Sequence, residues 1–302
     1  RTREALERAL ALDPRFAEAR GWYGFTHALM INYGYSNDAG WLYKAEEELR
    51  RAAQDDPASA RVHSALAAVY VLQGRKELAP AEIEKALRAR PDDIEALMWR
   101  LQYLRLNGDT SAARALAQQI VERQPLFGPA RRVLALILRE QGDAAAAIRE
   151  LEKVLEQAPG DVQTILGLAQ VYFEQGEVRK ARQALERWDP TRRQNYAVRL
   201  GWAMQFALEG KRQEALKEMD AEVLKYGGAF YTPALPVAEF YSVLGDTDKA
   251  LEWLDKTVRL GDDRAEWFRR DPLLANIRSQ PRFRQILESI AYRRQQQAAP
   301  KR

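Results

Sequence analysis

The chain has 302 residues, 46% of them hydrophobic and 30% charged, which is enough to bury a large interior. Its 47 basic and 43 acidic residues leave a surplus of four, matching Arg293, Arg294, Lys301 and Arg302 at the end; the rest is formally neutral, which argues against a basic track for nucleic acid. With no cysteine, disulfides, thiolate nucleophiles and Cys-type metal sites are excluded.

In chain order, residues 1–14, RTREALERALALDP, read as an amphipathic helix already under way, expected to be the second helix of a truncated repeat with Leu6 and Leu10 partly uncovered. Residues 17–57 read as a helical hairpin with an insertion at 31–40, closed by Pro57. The longest uncharged stretch, Gly21 to Asn37, is interrupted by Thr26, His27, Asn32 and Ser36, so no membrane insertion is expected.

Residues 60–93 set a pattern that then repeats: a helix, a turn glycine, a second helix and a closing proline. Gly74, Gly108, Gly142 and Gly176 stand 34 apart, as do Pro91, Pro125 and Pro159; the blocks are 60–93, 94–127, 128–161 and a shortened 162–190 ending at Pro190. Blocks 196–226 and 231–261 follow more loosely, with Gly210 and Gly245 in the same role. Five residues after each turn glycine comes an alanine: Ala79, Ala113, Ala147, Ala181, Ala215 and Ala250. Ala67 and Ala86 hold further small positions, where a neighbouring helix axis must come to the lower end of the roughly 8–10 Å packing range. First helices are apolar at i, i+3, i+4 and i+7, as in Leu134, Ala135 and Leu138, and strand signals are absent. Residues 262–292 are expected to cap the array, with Phe283, Ile286, Leu287 and Ile290 on one stripe, and 293–302 to be a flexible basic tail.

These blocks resemble the tetratricopeptide repeat family, a 34-residue helical hairpin with a small residue in each helix, a turn glycine and a terminal proline. The resemblance implies an all-α, right-handed superhelical solenoid of antiparallel hairpins over 17–261, each repeat touching chiefly its neighbours. Arg100, Ile120 and Glu222 depart from it, so the third and sixth blocks are expected to be distorted. The first block and the closing residues also look like the repeat arrays that follow a winged-helix, cyclase or Ser/Thr kinase effector in bacterial multidomain regulators.

Only two histidines occur, His27 and His63, both on inward stripes, where packing with a satisfied ring nitrogen is expected. No metal set, cofactor loop or catalytic acid–His–Ser group can be assembled, so no enzyme, cofactor or metal is expected. At about 100° per residue, a second face of each first helix lines the inside of the superhelix. It carries Trp22, Phe25 and Leu29, then Ser64, Ala68 and Val71, then Trp99, Gln102 and Arg105. Arg132, Leu136 and Arg139 continue it, followed by Leu166, Gln170 and Phe173 and by Leu200, Met204 and Ala207. Trp22, Phe25, Trp99, Gln102, Arg105, Arg132, Leu136, Arg139, Gln170 and Phe173 are the expected groove residues, of types that anchor protein interfaces. The Lys and Asn with which some members of the family grip a peptide carboxylate are missing.

The expected function is therefore a non-catalytic scaffold, the sensor or adaptor segment of a larger bacterial regulator, binding a protein or peptide segment in its concave groove. The alternative is a helical-repeat nucleic-acid-binding module. Self-association through the uncovered first helix is a further expectation. A cysteine-free chain leaves the compartment open; the cytoplasm is favoured, with the periplasm or the extracellular side as the alternative where a spanning helix precedes the array.

Overall fold

In the computed structural model the described residues are 2–188 and 194–298, and all regular structure among them is helical. Helix α1 (Thr2–Leu12) precedes five hairpins: α2 (Ala17–Asn32) with α3 (Gly40–Asp55), α4 (Ala60–Leu72) with α5 (Ala79–Ala89), α6 (Ile94–Leu106) with α7 (Thr110–Arg123), α8 (Gly128–Glu140) with α9 (Ala144–Gln157), and α10 (Val162–Glu174) with α11 (Val178–Leu185). Next come α12 (Tyr196–Leu208), α13 (Arg212–Glu218) and α14 (Ala221–Gly227), then α15 (Tyr231–Val243) with α16 (Thr247–Arg259). Helix α17 (Ala265–Arg270), a 3₁₀ turn (Pro272–Ile277) and α18 (Pro281–Ala298) end the chain. The arrangement is an α-solenoid of helix hairpins.

Local chemistry sets the phase. Ser59, Asp93, Asp161 and Asn195 each accept a hydrogen bond from a backbone N–H in the first turn of a first helix, satisfying donors the helix itself leaves orphaned. Phe127 occupies the same phase without a capping side chain. The alanines five residues past each turn glycine are fully buried, as are Ala67 and Ala86, so the small positions do lie at helix contacts. Ile120 is buried at the position where an alanine was expected, and Arg100 is turned to solvent. In the sixth block the second helix is broken: α13 stops before Met219, and the Asp220 carboxylate accepts from the N–H groups of Glu222 and Val223 to start α14.

Repeats do not touch only their neighbours. The stretch between α2 and α3, within the insertion expected at 31–40, reaches across the coil to the starts of later first helices. Gln163 Nε2 donates to the Asn32 carbonyl at 2.8 Å, Asn195 Nδ2 to the Tyr33 carbonyl at 2.7 Å, and the Tyr196 N–H to the Gly34 carbonyl at 3.0 Å. Asn37 Nδ2 donates to Glu222 Oε2 at 2.6 Å. A second crossing joins the α4–α5 turn to the turn after α16, where Lys76 Nζ lies 2.6 Å from Asp263 Oδ2 with both side chains buried. These crossings add to the contacts each repeat makes chiefly with its neighbours: a loop longer than the hairpin needs has polar backbone to satisfy, and it does so on the other side of the coil.

Leu6 and Leu10 of α1 are half-buried against α2, and Leu12 is 89% exposed. Phe283, Ile286, Leu287 and Ile290 of α18 are buried. The flexible tail expected from Arg293 is helical as far as Ala298, because Arg293 is held by the Val258 carbonyl and by Asp263 Oδ1 at 2.9 and 2.6 Å. Pro190 and residues 299–302 lie outside the described residues.

Candidate functional site: the concave cavity

Closing the coil turns its concave side into a cavity of about 510 Å³. The ten expected groove residues all line it: Trp22 and Phe25 on α2, Trp99, Gln102 and Arg105 on α6, Arg132, Leu136 and Arg139 on α8, Gln170 and Phe173 on α10. Leu200 and Met204 of α12 add to the wall. Ser64, Ala68 and Val71 of α4 are instead buried, with Ser64 Oγ donating to Asp93 Oδ1 at 2.9 Å.

Exposure falls along the first helices. Trp22 is 38% exposed and Trp99 half-buried, whereas Arg105, Arg139 and Phe173, one or two turns further on, are buried. The cavity therefore has an aromatic rim and a floor at the C-terminal ends of α6, α8 and α10. That floor is completed by residues sequence reasoning missed: Tyr226 of α14, Tyr231, Leu235, Pro236 and Glu239 of α15, and Arg264 before α17. Two prolines in the run YTPALPV hinted at a special role for α15; nothing in GDDRAEW distinguished Arg264 from a solvent-facing arginine.

The floor is a network of buried charges. Glu140 Oε1 accepts from Arg105 Nη1 at 2.5 Å and from Arg264 Nη1, and lies 3.8 Å from Arg139 Nη2. Arg264 Nη2 also holds Asp262 Oδ2 at 2.5 Å. Arg139 pairs with Glu174 at 3.1 Å and lies over the Trp267 ring, 4.9 Å from its centroid. Gln170 Nε2 donates to Glu174 Oε1 and Glu239 Oε2 at 3.1 and 2.8 Å. Nearer the rim, Arg132 holds Asp161 at 2.8 Å. Arg105, Arg132 and Arg139, the three arginines among the expected groove residues, are therefore each engaged by a carboxylate of their own chain.

Burial and partner charge divide these carboxyls. Burial disfavours the charge on Glu140 and Asp262, but the arginines outweigh it and hold both below the usual carboxylate range. Burial dominates at Glu174, pushing it up to about 8 despite Arg139. Glu239 and Asp271 are both raised by burial, and the charge of Glu239 raises Asp271 further. Near neutral pH, Glu140 and Asp262 carry charge while Glu174 is held largely protonated, which relieves part of the excess of acids.

The histidines behave differently from each other. His63 Nδ1 is 2.5 Å from Glu82 Oε2 and its Nε2 is 2.9 Å from the Pro57 carbonyl, a satisfied packing histidine. His27 is buried between the rings of Tyr23 and Trp41, with centroids 4.5 and 4.7 Å away, and neither of its nitrogens has a hydrogen-bond partner among the described residues. The satisfied nitrogen expected there is corrected: aromatic neighbours offer the ring contacts but no acceptor. Among the described residues no group of three acidic or histidine side chains is arranged to hold a metal ion, and no helix is long and apolar enough to cross a membrane.

Comparison with known proteins places this geometry. Tetratricopeptide repeat models match residues 44–94, 81–126, 100–162 and 138–200, together covering just over half of the chain. No curated protein matches it significantly. Among solved structures, a tetratricopeptide repeat protein from Parabacteroides merdae is similar over 89% of this chain and 99% of its own, at 17% identity and TM-score 0.51. A human IFIT1 dimer with m7Gppp-AAAA is similar over 85% of this chain and 67% of its own, at 16% identity and TM-score 0.63. The APC/C hetero-tetramer Cut9-Hcn1 is similar over 95% of this chain and 59% of that one, at 13% identity and TM-score 0.65. At such identities the likeness is one of fold; with the matched repeat models and the in-phase caps, glycines and alanines, it shows that this chain belongs to the tetratricopeptide repeat family.

Proposed function

We propose that the chain is a non-catalytic scaffold that binds a short protein segment by inserting apolar side chains into its concave cavity. Tetratricopeptide repeats are in general non-catalytic scaffolds for protein–protein interaction, and the observation that carries the finer reading is the cavity wall. Ten side chains from four separate helices, including Trp99, Leu136 and Phe173, converge on one space of about 510 Å³. That volume suits a few side chains or a peptide end, and is too small for a whole helix. The arginines serve the site by bracing its wall and floor, since each is engaged within the chain: Arg105 by Glu140, Arg132 by Asp161, and Arg139 by Glu174 and Glu140. In the bacterial regulators that the two ends resemble, this would be the sensor or adaptor segment. The half-covered α1 and the turn that follows it, with Leu12 and Phe16 exposed, form the surface through which we propose self-association.

The test is selection of a displayed random peptide library on the purified chain, followed by titration of the selected peptides against Leu136→Trp, which fills the cavity, and Trp99→Ala, which removes a rim anchor. Loss of about 2 kcal/mol or more of binding in either variant is expected for an anchored segment. Selected peptides that bind both variants as well as the unmodified chain would overturn the reading.

Nucleic acid is the second reading, motivated by the capped RNA in the human IFIT1 structure. A phosphate chain entering this cavity would have to displace Glu140, Asp161 and Glu174 from their arginines. Tight, strongly salt-dependent binding of mixed oligonucleotides would favour it over the protein segment.

A further inference from the structure

Glu95 is the odd carboxylate of the concave face. Glu140, Asp161, Glu174 and Asp262 all have a cationic partner within 4.0 Å, and Glu239 accepts from Gln170. Glu95 lines the cavity at the rim, is half-buried, and has no hydrogen bond or ion pair among the described residues. Its place in the first turn of α6 lets the helix N-terminus support a negative charge, but it supplies no counterion. Three aromatic side chains, Trp22, Phe25 and Trp99, line the same part of the cavity rim as Glu95 does, with Arg61 beside them. Aromatic faces attract cations, most of all when a carboxylate shares the space. The chain itself demonstrates this affinity: the Arg61 guanidinium sits over the Trp22 ring, 4.1 Å from its centroid, without forming an ion pair with Glu95.

We propose that Glu95, Trp22, Phe25 and Trp99 form a subsite for the cationic side chain of a bound protein segment, a lysine or arginine whose apolar neighbour enters the cavity. This rests on the cavity being the peptide site. The subsite gives the segment a direction: the charged residue stays at the aromatic rim while the apolar one descends towards Leu136 and Phe173. Burial raises the Glu95 carboxyl, with Arg61 opposing, as expected of an acid that lacks a close counterion. A ligand ammonium or guanidinium would supply that counterion.

The experiment selects a displayed random peptide library on the unmodified chain and, in parallel, on Glu95→Gln and Glu95→Lys, each first checked for an unchanged helical spectrum and melting point. Peptides from the unmodified chain are expected to be enriched in lysine or arginine beside a large apolar residue and to bind Glu95→Gln at least tenfold more weakly; Glu95→Lys should enrich acidic residues instead. Peptides blocked by Leu136→Trp but lacking a basic preference, and indifferent to Glu95→Gln, would overturn the subsite and leave the cavity reading standing. Peptides that Leu136→Trp does not block would overturn both. If either Glu95 variant unfolds, titration of the selected peptides against single lysine-to-norleucine or arginine-to-citrulline replacements on the unmodified chain decides the matter. A loss of tenfold or more supports the subsite, and no loss overturns it.

Discussion

Gly74 and Gly261 meet backbone to backbone across the coil: a Cβ built on Gly261 would lie 2.9 Å from Gly74 Cα, and one built on Gly74 would run into the Leu260 carbonyl oxygen. Two residues beyond each glycine, Lys76 and Asp263 form the buried pair that fastens this crossing. Gly142 has the same turn role and also a positive φ, 89° against 75°, but nothing lies within 4 Å of a Cβ there. Gly142→Ala is therefore expected to cost about 1 kcal/mol, the price of the left-handed backbone alone. Gly74→Ala adds a backbone clash and should cost at least about 2 kcal/mol more, of the size found for overpacking. Denaturant unfolding of the two variants checks the difference, with hydrogen exchange expected to rise around both 74 and 261 only in Gly74→Ala. Equal losses would mean the closure contributes nothing.

Ala86 and Ala147 are fully buried in second helices, on faces where neighbouring helices pack. Leucine at either position forces three extra carbons between closely packed helix axes and is expected to destabilise by about 1–3 kcal/mol. Chemical denaturation of both variants provides the measurement.

The repeat was legible because helix proximity imposes one residue type at one spacing: in every block from residue 60 on, a turn glycine is followed five residues later by an alanine. The inner face followed from helical geometry, and all ten groove residues expected from it line the cavity. Closure was not legible. Gly34, Gly74 and Gly261 look like any other turn glycines in sequence, and only the pitch of the whole coil decides that the backbone of another repeat will lie against them. For the same reason Arg105 and Arg139 read as groove cations when they are floor braces. Their partners Glu140 and Glu174 lie on the next first helix in each case, and the cap supplies Arg264 and Asp262 from far along the chain.

The two histidines should give opposite pH signatures. His63 donates to a carboxylate and a carbonyl at once, which requires the doubly protonated ring, and these bonds raise its pKa. Its stabilisation is thus complete below the unfolded pKa of about 6.5 and is lost as pH rises through the higher folded value. His27 is lowered to about 4 by burial, so its contribution is present above about 6.5 and is lost as pH falls towards 4. His27→Phe removes two buried, unpartnered nitrogens and is expected to stabilise by on the order of 1 kcal/mol, most at pH 4–5. His63→Ala should destabilise most at pH 5–6 and least above the raised pKa. Melting curves at pH 4.5, 6 and 8.5 would show the crossing; parallel shifts across pH would contradict both assignments.

Glu174 offers the sharpest pH test of the floor. Its carboxyl is raised by burial to about 8, while in the unfolded chain it ionises near its ordinary 4.5. Between these values the folded state holds a proton the unfolded state has released, so stability is full below about 4.5, declines as pH rises and levels off above about 8. Linkage allows a slope of up to roughly 1.4 kcal/mol per pH unit across that window for one group. Glu174→Gln keeps an acceptor oxygen for the Gln170 and Arg139 contacts and has no proton to lose. The variant should match the unmodified chain near pH 4.5 and exceed it progressively towards pH 8, with a correspondingly flatter dependence of the denaturation midpoint. Should the two midpoints run parallel over pH 4.5–8, the protonated Glu174 would be wrong. Arg139 would then carry a full ion pair, and the neutrality of the floor would have to come from a different carboxyl, with Glu239 and Asp271 the pair to mutate next.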